Sequence, residues 1–129
     1  MIAIDSSSFI AYLGGSTGPD VEATEIALAH RQAALPPAVL TELLSDPGLP
    51  AELRTLLVGL PSLVVLDGYW ERAGLLRARI IRRKRKARLA DTLIAQSCLD
   101  HNVELVARDP DFRPFATIGR LKLFAAGHR

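Results

Sequence analysis

Short apolar runs alternate with longer amphipathic segments along this chain, and that alternation limits the folds that it can adopt. Four runs have the length of buried strands: residues 1–4, 63–66, 103–106 and 121–124. Between them lie segments with helical spacing of apolar residues, the clearest being 69–80 and 89–101. Strands that alternate with helices favour an α/β sandwich with a mainly parallel central sheet.

The bulk properties indicate one globular domain spanning residues 1–129. Hydrophobic residues make up 49% of the chain and charged residues 23%, which is ordinary for a protein with a packed core. Cys98 is the single cysteine and cannot form an internal disulfide, so a reduced, cytoplasmic location is expected. No basic residue precedes the first apolar run, and no apolar stretch reaches the roughly 18 residues that span a bilayer, so neither export nor membrane insertion is expected.

Carboxylates follow the predicted strands at the point where each strand ends. Asp5 comes directly after the first run, and Asp109 and Asp111 follow the run 103–106. Ligands of parallel α/β sheets gather at the carboxyl ends of strands. Asp91 lies in the first turn of a strongly apolar helix, and Glu42 is flanked by core residues, so both can join that edge.

Each of these acids has an ordinary structural explanation when it is taken alone, such as a helix cap, a favourable helix dipole or a turn. Together they would repel one another and need a positive partner. The histidines His30, His101 and His128 are scattered and the cysteine is alone, which argues against zinc. An all-oxygen site suits Mg²⁺ or Mn²⁺, which can activate water for hydrolysis of a phosphodiester.

Basic residues are concentrated in one stretch although the net charge is only +2. Eight of the sixteen Lys and Arg residues fall within residues 77–88. Such a run is usually a solvated helix face, but beside a metal site it favours binding of RNA phosphates. The candidate substrate contacts are Ser6, Ser7, Arg82, Arg83, Arg85 and Arg108.

Four segments together resemble the PIN domain, and specifically the toxin nuclease of a VapBC-type bacterial toxin–antitoxin pair. They are Ile4-Asp5-Ser6-Ser7, Leu40-Thr41-Glu42-Leu43-Leu44, Leu89-Ala90-Asp91-Thr92-Leu93-Ile94-Ala95 and Leu105-Val106-Ala107-Arg108-Asp109-Pro110-Asp111-Phe112. The resemblance covers nearly the whole chain and implies a three-layer α/β/α sandwich with Mg²⁺- or Mn²⁺-dependent endoribonuclease activity. It also implies a homodimer and a small cognate antitoxin whose tail reaches the acidic groove.

The resemblance carries over Asp5, Glu42 and Asp91 as the metal-binding and catalytic acids. The fourth acid is Asp109 or Asp111, and Asp109 is favoured because it is closer to the strand end. Asp5, Asp91 and Asp109 are then the expected metal ligands. The chain departs from the family pattern at Ala107, where many members have Thr or Ser.

Two other functions remain open at this point. A receiver-type signalling domain also gathers acids and Mg²⁺ at the end of a parallel sheet, and Leu66-Asp67-Gly68 could supply its phospho-acceptor. That interpretation leaves Glu42 and Asp91 without a role, and only one acid ends the first strand. A PIN-like binding module without catalysis is the second alternative, and Ala107 is the residue that keeps it open.

Overall fold

The computed structural model describes residues 1–124, in which strands and helices alternate as the sequence predicts. The elements in chain order are β1 (Ile2–Ile4), α1 (Ser6–Leu13), α2 (Pro19–Ala29), β2 (Ala33–Ala34), α3 (Pro37–Leu44), α4 (Ala51–Val58), α5 (Tyr69–Arg82), α6 (Leu89–His101), β3 (Glu104–Val106), a 3₁₀ turn (Pro110–Phe112) and α7 (Arg113–Thr117). No helix among these residues is long and apolar enough to cross a bilayer.

The central sheet is parallel and has the strand order β2-β1-β3. In the middle strand, the neighbours Ala3 and Ile4 point to opposite faces and are both fully buried, so helices cover the sheet on both sides. Helix α2 packs on β2 and β3, whereas α6 packs on β3 and carries α5 on its outer side. This arrangement confirms the predicted α/β fold with a parallel sheet between helical layers.

Strands β1 and β3 end side by side, at the edge where the acids are expected. The backbone N–H of Asp5 donates to the carbonyl of Val106 at 2.8 Å. Helix α6 ends at Asn102, whose left-handed conformation (φ 52°) turns the chain back into β3. Because α6 therefore runs opposite to β3, its first turn lies at the carboxyl edge of the sheet.

The predicted strand at residues 63–66 is wrong. One bridge joins Ser62 to Leu35, and beyond Leu63 the side chains of the segment are exposed. The neighbouring chain cannot extend this pairing, because Pro36 and Pro37 have no N–H to donate and already begin α3. Apolar, β-branched composition therefore made this segment look like a strand without providing a partner for it.

The end of the described chain also differs from the prediction. In place of a strand at 121–124 there is a single bridge between Leu123 and Leu105, supported by the bond from the N–H of Phe124 to the carbonyl of Leu105 at 2.8 Å. The short helix α7 was not predicted. The histidine at position 128 lies outside the described residues.

Candidate active site

Three aspartates meet at the carboxyl edge of the sheet and form what we call the aspartate cluster: Asp91, Asp109 and Asp111. Each offers one carboxylate oxygen, and these oxygens lie within 4.8 Å of one another. Asp91 belongs to the first turn of α6, whereas Asp109 precedes the 3₁₀ turn and accepts from the N–H of Asp111 at 2.9 Å. Both candidates for the fourth acid therefore lie beside Asp91.

Asp5 and Glu42 border the aspartate cluster but do not belong to its closest group. Asp5 is the N-cap of α1, is only 3% exposed, and accepts from the N–H of Ser7 at 3.0 Å. Glu42 lies on α3, is exposed at the surface, and accepts from the hydroxyl of Ser6 at 2.7 Å. Burial is the main cause of the raised pKa of Asp5, and the charges of Glu42 and Asp91 add to it. The charges of Asp109 and Asp111 act in turn on Asp91, so all five acids are linked electrostatically.

Ser7 connects the ends of the two central strands. Its hydroxyl donates to the carboxylate of Asp5 and accepts from the backbone N–H groups of Arg108 and Asp109, at 3.1 and 3.3 Å. The loop after β3 thus receives a hydroxyl from residue 7, although Ala107 itself offers none. Ser7 positions Asp5 relative to Asp109.

Burial and neighbouring charges set the pKa values of two acids of the site. Burial raises the pKa of Asp5 to about 6, against the lowering effect of the bonds from Ser7. Burial also raises the pKa of Asp91, where Arg88 acts in the opposite direction and the charges of Asp109 and Asp111 add to the rise. Both acids are therefore held in surroundings that penalise their negative charge.

Arg88 partly neutralises the aspartate cluster. Its Nε donates to Asp91 at 3.2 Å, and its Nη2 donates to Asp109 at 3.1 Å and to Asp111 at 2.8 Å. Lys86 adds a contact from its Nζ to Asp111 at 3.0 Å. Sequence reasoning missed both residues; the signal that could have found Arg88 is its position three residues before Asp91, which suits an ion pair on a helix.

The predicted substrate contacts fall in three places, of which Ser6 and Ser7 lie beside the acids as described above. Arg108 is engaged elsewhere, because its guanidinium donates to the buried Asp20 from Nε at 2.9 Å and from Nη2 at 3.1 Å. Arg82, Arg83 and Arg85 are exposed at and beyond the end of α5, and none of the three forms an ion pair within residues 1–124. Their role in binding RNA stays a prediction.

The receiver alternative is wrong. Asp67 is exposed in the turn before α5 and does not follow a strand, so it lies in no position to accept a phosphoryl group at the sheet edge. Lys122 is also exposed, in the segment that forms only one bridge.

Comparisons with solved structures agree with the fold described above. FitAcB from Neisseria gonorrhoeae has a TM-score of 0.69 and 16% identity, and the match covers 96% of each chain. VapBC2 from Rickettsia felis, bound to a DNA fragment from its promoter, gives 0.66 and 19%, over 96% of this chain and 98% of the other. VapBC-5 from Mycobacterium tuberculosis gives 0.63 and 17%, over 95% and 94%.

No curated protein matches the chain in sequence. The three solved structures are 16%, 19% and 17% identical to the chain, and identities this low show a shared fold only. The family itself is shown by sequence, since a model described as "PIN domain" matches residues 2–117. That range contains all five acids of the site and every strand and helix described here. The chain belongs to the PIN domain family.

Proposed function

We propose that this protein is a Mg²⁺- or Mn²⁺-dependent endoribonuclease and acts as the toxin of a toxin–antitoxin pair. The observation that carries the proposal is the convergence of five carboxylates at one sheet edge, with only Arg88 and Lys86 as cations in contact with them among residues 1–124. One of the similar solved structures, VapBC-5 from Mycobacterium tuberculosis, is a member of the VapBC family of toxin–antitoxin systems, and this supports the assignment of the biological role.

The residues of the site fit a hard divalent ion. The aspartate cluster offers carboxylate oxygens within 4.8 Å of one another, and oxygen donors are the ligands that Mg²⁺ and Mn²⁺ prefer. A guanidinium already lies among these oxygens, so the cluster attracts positive charge. We assign Asp5, Asp91 and Asp109 as the ligands, with Asp111 beside them. A bound ion supplies a water of lowered pKa and shields the charge of the phosphodiester.

Two other residues of the site have separate roles: one accepts a proton and the other holds its neighbours in position. Glu42 is exposed and fixed by Ser6, so its carboxylate is available to take the proton of the attacking water. Ser7 holds Asp5 and the loop that carries Asp109 in a fixed relative position through its hydrogen bonds to both. No serine, cysteine or histidine nucleophile is needed for such hydrolysis.

Two surface features of the protein support the proposed partners, which are an antitoxin and a second copy of the chain. The acidic surface formed by the aspartate cluster and Glu42 suits the basic tail of a small antitoxin. Exposed apolar residues on α5, with Trp70 63% and Leu75 69% exposed, are suited to a homodimer contact. We place the activity in the cytoplasm, where RNA and the antitoxin are made.

Substitution of the assigned ligands tests the nuclease function. Asp5→Asn and Asp91→Asn each abolish Mn²⁺-dependent cleavage of RNA, by about a thousandfold or more, because each removes a metal ligand. Circular dichroism should show that both variants stay folded. Asp67→Asn is the matched control, since Asp67 is exposed and remote from the site.

Cleavage retained in both ligand variants would contradict the proposal. A wild-type protein that binds Mn²⁺ at this site but leaves RNA intact would instead support the alternative of a PIN-like binding module without catalysis.

A further inference from the structure

A second charged concavity lies on the outer side of α6, and we call it the arginine pocket. It has a volume of about 550 Å³ and is lined by Arg79, Arg82, Arg83 and Arg120, with Leu99 and Ile118 among its other walls. Leu99 is eight residues beyond Asp91 on α6, which corresponds to about 12 Å along the helix axis. The pocket is therefore separate from the aspartate cluster.

Two segments that are distant in sequence build this pocket. Arg79, Arg82 and Arg83 are spaced by three and four residues at the end of α5, so they share one face. Arg120 comes from the loop after α7 and has a left-handed backbone (φ 65°). The preceding Gly119 allows the close approach, because a Cβ there would lie 2.7 Å from both Leu76 Cδ1 and the carbonyl oxygen of Phe115.

The arginines of the pocket have no acidic partner in the part of the chain that the structure describes. None of its four arginines forms an ion pair there, whereas Arg72, Arg88 and Arg108 each bind an aspartate. The dipole of α5 favours cations at its last turn, which accounts for the arginines of that helix but not for Arg120. Four convergent guanidinium groups suit phosphate, which they bind through paired N–H donors.

A basic loop connects the arginine pocket with the aspartate cluster. Arg83 lines the pocket, and Lys86 and Arg88 on the same loop contact the aspartates. Five residue steps span at most about 17 Å. A nucleic-acid strand rises about 3.4 Å per nucleotide when it is stacked as in a duplex and extends further when it is unstacked, so at most about five nucleotides are needed to cover that distance.

We propose that the arginine pocket is a second phosphate-binding site, which holds the backbone of single-stranded RNA several nucleotides away from the bond that is cleaved. The inference rests on the proposed ribonuclease function and adds to it a requirement for substrate length. A strand held at both places lies along the basic loop. An RNA too short to reach the pocket is bound at the aspartate cluster alone.

The first test measures binding of a fluorescent twelve-nucleotide RNA in EDTA as the salt concentration is raised. The double variant Arg79→Ala/Arg120→Ala should bind roughly tenfold more weakly at low salt, with a slope of log K against log salt that is smaller by about 1.4. Arg79→Lys/Arg120→Lys should keep the slope, because the charges remain. Arg54→Ala removes an exposed arginine from α4 and is the matched control.

The second test compares cleavage of twelve- and four-nucleotide RNAs in Mn²⁺. In the double alanine variant we expect KM for the longer RNA to rise roughly tenfold with little change in kcat. The value of kcat/KM for the shorter RNA should fall less, since fewer of its phosphates can lie in the pocket while a bond is held at the aspartate cluster. Thermal melting establishes that the variant is folded.

The outcomes separate the two proposals. An unchanged salt slope, or an equal loss of cleavage for both RNAs, overturns the arginine pocket as a substrate site, and so does a wild-type protein that binds no RNA. If the salt slope falls as expected but the wild type cleaves neither RNA in Mn²⁺, the phosphate site stands and the nuclease function fails.

Discussion

Two groups of aspartate and arginine in this molecule look alike in composition and differ in their balance. In the first, Asp20 on α2 meets the guanidinium of Arg108 through bonds of 2.9 and 3.1 Å, and Ser8 adds a hydroxyl bond at 2.9 Å. In the second, the single guanidinium of Arg88 serves all three carboxylates of the aspartate cluster. One group is matched in charge, and the other has an excess of acid.

The pKa values of the acids follow this difference. The hydrogen bonds from Arg108 lower the pKa of Asp20, even though burial acts against them. At Asp91 the order is reversed, because burial outweighs the effect of Arg88 and raises the pKa. The matched pair stabilises the fold by joining α2 to the loop after β3. The unmatched cluster leaves negative charge without a partner, as is common at functional sites.

The largest effect on stability is expected at Asp5. Its pKa is about 6 in the folded protein against 3.8 as the reference value, so the folded state binds the proton more tightly than the unfolded chain does. This contribution to stability is complete below the reference pKa and is lost as the pH rises through about 6. In EDTA at pH 7.5, Asp5→Asn should therefore raise the free energy of unfolding by up to about 3 kcal/mol.

Urea unfolding at pH 4 and pH 7.5 checks this prediction, with Asp67→Asn as the control for an exposed aspartate. The gain should shrink at pH 4, where Asp5 is protonated in the folded protein. A loss of stability at pH 7.5 would show that the charge of Asp5 is well accommodated, and the unmatched acid would then be confined to the aspartate cluster beside it.

The matched pair should respond in the opposite direction. Asp20→Asn removes a carboxylate that accepts charged hydrogen bonds, and we expect it to lower the free energy of unfolding by about 2 kcal/mol at pH 7. Because the folded pKa of Asp20 is depressed, its contribution is present above the unfolded value and is lost as the pH falls through the folded value. Urea titrations from pH 7 to pH 2.5 measure it, and an equal loss at every pH would contradict the electrostatic origin.

Removal of Arg88 should tighten metal binding. Arg88→Ala takes away the cation that competes for the aspartate oxygens, so the Kd for Mn²⁺ should fall about tenfold, or about 1.4 kcal/mol. Calorimetric titration of the protein with Mn²⁺ provides the measurement. Arg85→Ala is the matched control, since Arg85 forms no ion pair with a described residue. Weaker binding in the Arg88 variant would mean that this arginine supports the metal site instead of competing for it.

The smallest effect is expected at Ser7, which lies between the two groups. Ser7→Ala deletes the hydroxyl that accepts from the N–H groups of Arg108 and Asp109 and should cost about 1 kcal/mol of stability. Thermal unfolding gives the size of the loss, and Ser7→Thr should restore most of it. Ser6→Ala serves as the control, because the hydroxyl of Ser6 binds only the exposed Glu42.

The positions of the acids could be predicted because they depend on a general property of parallel sheets. Asp5 and Asp109 each follow a strand, and neighbouring parallel strands end at one edge. Asp91 could be placed there because its helix precedes β3 and runs opposite to it. The pairing of Arg108 could not be predicted, since its partner Asp20 is 88 residues away and no local pattern links them.

The strand wrongly predicted at 63–66 also reflects a contact between segments that are distant in sequence. Whether an apolar segment becomes a strand depends on a neighbour that can pair with it, and the two prolines that begin α3 remove that neighbour. The arginine pocket also depends on contact between distant segments, because Arg120 joins the arginines of α5 only when the chain is folded. Sequence reasoning was most successful where the geometry of one element decides the outcome.

The bond from Ser7 to the backbone of Arg108 spans 101 positions of the sequence. A growing chain that has been made only as far as α5 carries Asp5 and Glu42 but has neither β3 nor the loop that follows it. Contacts of such long range form after the intervening chain is available. The carboxylates of the site therefore assemble only after β3 and the loop that follows it have been made, so the aspartate cluster cannot form on a chain that stops before them.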